Sequence, residues 1–265
     1  MRESAFSPKI ILIGAGNVAW HLGHRLREVG IDVVQVVNRS AEHGRALAGS
    51  LGADWTVDSS SISRKGELYI LAIRDDAIAS LAQELKNFLP ENALVVHTSG
   101  GTPGAVLSAS FRRHGVLYPL QSFSREQQVV WEDIPVCIDA STEADLQFLE
   151  KVARNLSPKV FKVTDDARAI VHVAAVFANN FPNFLFSVSE LILENERLPF
   201  DLLRPLILET ARKVQTRSPA SMQTGPAVRG DDATIARHQQ YLERYPELAE
   251  LYRTLTLSIK SRHQK

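Results

Sequence analysis

The stretch Gly14-Ala15-Gly16-Asn17-Val18-Ala19 directly follows the apolar run Ile10–Ile13. A G-x-G-x-x-A spacing between a strand and a helix is the pattern of a loop that holds the pyrophosphate of a dinucleotide. Gly14 permits the tight turn, Gly16 lets the backbone approach the phosphates, and Ala19 keeps the new helix close to the sheet. Ala15, Asn17 and Val18 complete the loop, and the helix they open offers unpaired N–H groups and the positive end of its dipole. A second expected strand ends at Val37-Asn38-Arg39-Ser40. An acid that grips a ribose 2′-hydroxyl belongs near Asn38, and none is present. A guanidinium and a hydroxyl at Arg39 and Ser40 suit a 2′-phosphate instead, which predicts NADP rather than NAD. Ser40 equally suits a helix cap, and the two roles are compatible.

Ligands of an open α/β sheet sit at the carboxyl ends of its strands. Leu71-Ala72-Ile73-Arg74-Asp75 ends one strand, so Ala72 and Ile73 are expected beneath the cofactor. His97-Thr98-Ser99-Gly100-Gly101 ends the next. Its small residues leave room for a nicotinamide at Thr98 and a small-molecule substrate at Ser99 and Gly100; a plain glycine turn is the alternative. Tyr118–Phe123 ends a third, where Gln121 and Ser122 offer hydrogen bonds to a polar substrate or simply form a loop. Farther along, His172, Val176, Asn179 and Asn183 fall on one face of a regular helix, with Asn180 at its edge. An imidazole and a row of amides among apolar neighbours need partners. His172 suits proton transfer near neutral pH, with Asn179, Asn180 and Asn183 as orienters; a core histidine satisfied internally is the alternative. Pro182 predicts a kink. In Thr224–Asp231, Thr224 and Arg229, with Ser221 before them, suit a carboxylate, while Asp231 or Asp232 suits a helix cap.

The elements that must position these residues change character along the chain. Strands are expected at Lys9–Ile13, Asp32–Asn38, Leu68–Ile73, Ala93–His97, Val116–Tyr118, Val136–Asp139 and Lys159–Val163, most of them runs of Val, Ile and Leu as in strands buried on both faces. Helical periodicity lies between them, with Val18, Leu22, Leu26 and Val29 on one face and similar patterns at Asp76–Phe88 and Glu143–Asn155. Alternating strands and helices predict a mainly parallel α/β sheet. After Val163 the expected elements are helices only, at Asp166–Glu196, Phe200–Thr216, Asp231–Arg244 and Pro246–Arg262, with a loop at Ser218–Gly230. The expected organisation is an α/β nucleotide-binding domain over residues 1–164 and an all-helical domain over 165–265.

With 265 residues, 45% of them hydrophobic and 23% charged, the chain has the composition of a globular protein. It has 30 basic and 30 acidic residues: 17 against 19 up to Asp165, then 13 against 11. Neither part is a basic footprint, so nucleic acid and anionic membrane are not expected partners. The single cysteine, Cys137, excludes an intrachain disulfide and a cysteine-rich zinc site, so no metal is expected, and it fits a reducing cytoplasm. The start has no signal-peptide plan. Ala169–Ser189 lacks Asp, Glu, Lys and Arg, yet its His172, Pro182 and three asparagines favour a buried helix of a soluble domain over a membrane span.

Taken together, Gly14–Ala19, Asn38–Ser40, His97–Gly101, Tyr118–Phe123, His172–Asn183 and Thr224–Asp231 resemble a known group. The first part is similar to the NADP-binding domain of pyrroline-5-carboxylate reductase, ketopantoate reductase and the β-hydroxyacid dehydrogenases. The whole chain resembles the NADP oxidoreductases that pair a Rossmann-like domain with a helical domain of the DUF2520 type. The resemblance implies hydride transfer between NADPH and a C=O or C=N carbon of a small polar, anionic substrate. It also implies a homodimer through the helical domain, whose Leu202, Leu203, Leu206, Ile207, Leu248, Leu251, Leu255 and Ile259 exceed what one layer buries. In better-understood relatives a lysine stands where His172 falls, with an asparagine near Asn180; the departure at His172 leaves open an NADP-binding redox sensor without turnover.

Overall fold

The computed structural model describes residues 6–263. Its first part holds an eight-stranded sheet: β1 (Ile10–Ile13), β2 (Val33–Val37), β3 (Asp54–Thr56), β4 (Leu68–Leu71), β5 (Leu94–His97), β6 (Arg113–Pro119), β7 (Val136–Ala140) and β8 (Val160–Lys162). The spatial order is β3-β2-β1-β4-β5-β6-β7-β8. Every pairing is parallel except β6 with β7, where Tyr118 stands opposite Cys137. All seven expected strands are present. The eighth, β3, is a short edge strand that the apolar pattern did not announce.

The sheet is central because its strands are apolar on both faces. In β1, Ile10 and Leu12 join one core and Ile11 and Ile13 the other, the two-residue alternation of a strand. The first core takes Leu22 and Leu26 from α1 (Asn17–Glu28), Leu47 and Leu51 from α2 (Ala41–Leu51), and Leu149, Val152 and Leu156 from α4 (Glu143–Leu156). The second takes Ile78, Ala82 and Leu85 from α3 (Ile78–Leu85). Each fully buried leucine or isoleucine contributes about 1.5–3 kcal/mol. This layer fixes the carboxyl ends of β1, β2, β4, β5 and β6, where the loops of interest begin.

The remaining helices are α5 (Asp165–Ala175), α6 (Phe181–Asn195), α7 (Arg204–Lys213), α8 (Pro226–Arg229), α9 (Asp232–Leu242) and α10 (Pro246–His263). Thr164 caps α5 by accepting the Ala167 N–H. Compact units divide after Val176, one helix beyond the expected 164/165 boundary. The reason is local: Asp165 and Arg168 of α5 bond to the turn after β5.

Three expectations for this region need correction. The π-turn Val176–Asn180 interrupts the helical period, so the spacing that aligned Asn179 and Asn183 with His172 does not carry across it. Pro182, at the start of α6, has no N–H for the Ala178 carbonyl, and the wider turn just before it accommodates the loss. Secondly, Asp165–Asn195 is not a buried helix. At 31 residues and mean hydropathy 1.3 it is long and apolar enough to cross a membrane, and its apolar window has no buried residue within the chain. Thirdly, Ser218–Gly230 is not wholly irregular, since it contains a 3-10 turn at Pro219–Met222 and the short α8.

Candidate active site

The glycine loop leaves β1 with Gly14 at φ +114°. A side chain there would overlap the Ala72 carbonyl, because the loop lies directly against the end of β4. Gly16 is the N-cap of α1, and a Cβ on it would meet no atom within 4 Å. No side chain caps α1, and its first turn holds no acid. Its N–H groups are therefore free for an anion. The loop after β6 braces this cradle: Asn17 donates Nδ2–H to the Phe123 carbonyl at 3.0 Å, His21 Nε2 meets the Ser124 carbonyl at 2.8 Å, and Arg125 donates to the Ala15 carbonyl.

A cavity of about 640 Å³ opens over this loop, within the ~300–1,000 Å³ of small-molecule sites. Gly14, Ala15, Gly16, Asn17, Val18, Asn38, Arg39, Ala72, Ile73 and Thr98 all line it, and so does Gln121. Of the residues expected at the cofactor, Ser40 alone is absent from this lining. Ser40 lies outside the lining and caps α2, accepting the His43 N–H at 3.4 Å. Asn38 donates Nδ2–H to the Ser40 carbonyl at 2.9 Å, which shapes the turn that presents Arg39. Arg74 also lines the cavity but is paired with Asp76 at 2.8 Å, and Glu84 is the one acid in the lining. A glycine cradle, a bare helix N-terminus and an Arg39 that forms no ion pair among the described residues fit NADP.

The turn after β5 is built by residues whose roles were not foreseen. His97 is fully buried. Its Nδ1 accepts the Ser99 N–H at 3.2 Å and its Nε2 lies 3.3 Å from the Pro103 carbonyl, so the neutral ring carries its proton on Nε2. Burial pushes its pKa down to about 4. Ser99 donates to Asp75 Oδ2 at 2.7 Å and accepts the N–H groups of Gly101 and Thr102 at 3.2 and 2.9 Å. Its hydroxyl therefore helps to build the turn. Asp165 anchors the far side, accepting from Gly104 N–H at 2.8 Å and Arg168 at 2.8 Å. Burial raises the Asp165 pKa, but these donors outweigh it and hold the group below its usual value.

His172 lies on this turn. A Cβ on Gly100 would sit 2.6 Å from His172 Nδ1 and 2.6 Å from Tyr118 Cζ, so only glycine lets both rings approach. Tyr118 Oη is 3.4 Å from His172 Nδ1. His172 is half-buried, not packed away as a core residue. Gln121 accepts the Ser122 N–H at 2.8 Å, and Ser122 is exposed. In the second unit Asn179, Asn180, Asn183, Thr224 and Arg229 are all exposed, and Asp231 caps α9 through the Thr234 N–H at 3.0 Å. Spacing could not find the roles of Asp75 and Tyr118, whose partners Ser99 and His172 lie 24 and 54 residues away, nor that of His97, which turns back onto its own loop; their only signal was a place at strand ends.

The His97 environment sets a pH response. An unfolded histidine binds a proton below about 6.5, whereas folded His97 resists until about 4. The unfolded chain therefore binds more protons between these values, and stability falls as pH falls through them, by about 3 kcal/mol. Urea unfolding at pH 7 and 4.5 should show a larger loss for the native chain than for His97→Gln. Equal losses would assign the response to other groups.

Residues 9–100 match the family described as NADP oxidoreductase coenzyme F420-dependent, and residues 134–259 match the domain of unknown function DUF2520. Among solved structures, a putative NADP oxidoreductase from Bacteroides fragilis is 39% identical with TM-score 0.91, covering 96% of this chain and 98% of that one. A pyrroline-5-carboxylate reductase from Coxiella burnetii shares the fold at 17% identity and TM-score 0.61, covering 97% and 98%. The pyrroline-5-carboxylate reductase of Pseudomonas aeruginosa is 29% identical over 105 residues, which span 39% of this chain and only 38% of that enzyme. The chain belongs to the NADP oxidoreductases that carry a DUF2520 region behind a Rossmann-type domain, and its cofactor is NADP.

Proposed function

We propose that the protein reduces a C=N or C=O carbon of a small polar, anionic substrate. Bound NADPH supplies the hydride. The observation that carries this reading is the position of His172: Thr98 lines the cofactor cavity, and two residues on, Gly100 seats the His172 ring. A half-buried imidazole on that turn can give a proton to the nitrogen or oxygen that gains electrons. Asn179, Asn180 and Asn183 orient the substrate, and Thr224 and Arg229 bind its anionic group. The residue types support these roles, amides and a hydroxyl for hydrogen bonds and a guanidinium for an anion. NADPH consumption against a panel of cyclic imines and 2-keto acids tests the reading. Turnover of at least one class is expected; tight NADPH binding with no consumption by any of them would instead describe a nucleotide sensor.

The functional unit is a cytoplasmic homodimer. Ile170 is 71% exposed, Phe177 66%, Leu202 62% and Leu206 63%, large apolar side chains of the kind that mark interaction surfaces. A second copy covers such surface without placing the amides of α6 in lipid, and a stable interface of this kind exceeds ~1,000 Å². Light scattering at micromolar concentration should give the mass of a dimer. A detergent-free monomer would refute it.

A further inference from the structure

The contact between β6 and α5 bears on how His172 holds its proton. Tyr118 is part of β6, where its backbone stands opposite Cys137 on β7. Its ring meets His172 edge to face, with centroids 6.2 Å apart and planes at 70°. Oη lies 3.4 Å from Nδ1, a long separation of the kind that tightens when a reactive complex forms. Gly100 lies under both rings, so neither can move toward the turn. The Nε2 edge of the ring lies over Gly101, where a Cβ would be 3.5 Å from Cδ2, 3.8 Å from Nε2 and 3.8 Å from Asp75 Oδ2, and Nε2 makes no hydrogen bond among the described residues. Burial, helped by Cys137 and Asp75, raises the Tyr118 pKa, so the hydroxyl keeps its proton and is no phenolate.

We propose that Tyr118 is the positioning residue of His172, its Oη accepting the Nδ1–H and thereby reserving the Nε2 proton for the substrate. The proposal rests on the reductase reading above. In the protonated ring both nitrogens are donors, so a neutral hydroxyl beside Nδ1 must act as the acceptor. When the C=N or C=O carbon receives hydride, the π electrons move to the nitrogen or oxygen, and that atom takes the Nε2 proton. The ring returns to neutral with its remaining proton on Nδ1, still bonded to Oη. No tautomer exchange is then needed inside the site, and Nε2 regains a proton from solvent. A wrong tautomer or a rotated ring is costly in a general acid even when the rest of the site is intact.

Two measurements test this. In ¹⁵N-histidine NMR of the full-length protein, neutral His172 should be the Nδ1–H tautomer, with His97 as an internal Nε2–H reference. An Nε2–H signature for His172 overturns the proposal. This readout needs no substrate, so it stands apart from any failure to find turnover. In Tyr118→Phe, which keeps the ring and loses Oη, kcat should fall about tenfold or more while KM and NADPH affinity stay within about twofold, and the His172 tautomer should become mixed. An unchanged kcat, or a tautomer unaffected by loss of the hydroxyl, overturns it too.

Discussion

His172→Ala should lower turnover by about 10²–10⁴-fold, the usual contribution of a general acid, and leave NADPH affinity within about twofold. The first half follows from the seat of the ring on Gly100, beyond the cofactor-lining Thr98. The second follows from the cavity lining, which includes Thr98 but not His172. Among the described residues the ring's one side-chain partner is Tyr118 at 3.4 Å, and the α5 backbone is held by Asp165 and Arg168. Truncation should therefore affect chemistry and spare stability, which single-turnover kinetics and thermal unfolding would separate. A loss below threefold would remove His172 from the reaction. A loss of NADPH binding would move it into the cofactor site.

Arg39→Ala should reduce the preference for NADPH over NADH by roughly ten- to a hundredfold, because a charge-assisted contact to phosphate contributes about 1.5–3 kcal/mol. NADH affinity should change little. Arg39 is exposed at the end of β2 and lines the cavity with no acid at Asn38 beside it. Ser40 is tied to the α2 cap, so the guanidinium carries most of the discrimination. Exposure also makes the contact sensitive to salt, and the preference of the native chain should narrow as ionic strength rises. Calorimetric titration of both cofactors at low and high salt measures it, and a preference that survives Arg39→Ala would locate the phosphate contact elsewhere.

What could be read from the sequence followed from burial. Strands with both faces in the core, such as Ile10–Ile13 and Leu68–Leu71, are written as unbroken apolar runs. The polar edge strand Asp54–Thr56 has no such burial to record, and α2, with Gly44 and Gly49 inside it, shows only a weak pattern. The glycine loop was legible because its chemistry is local: cradle, turn and helix start occupy six adjacent residues. The turn after β5 was visible only as a strand end with small residues, because its internal order comes from Asp75 and Asp165, which lie far away in sequence. Helical spacing placed Asn179 and Asn183 on the face of His172, across a π-turn that a constant 3.6-residue period cannot foresee. The apolar faces of α5 and α6 were likewise visible as a pattern, though a single chain leaves them uncovered.

The central claim is that this chain passes hydride from NADPH to a carbon it then helps to protonate. The most direct measurement is transfer of deuterium from NADPH labelled at C4 on either face, incubated with the native protein and a cyclic imine or 2-keto acid, with the product analysed by mass spectrometry. The account predicts deuterium on the former C=N or C=O carbon from one labelled face only, and loss of that product in His172→Ala. Full occupancy by NADPH with no deuterium in any product would contradict it.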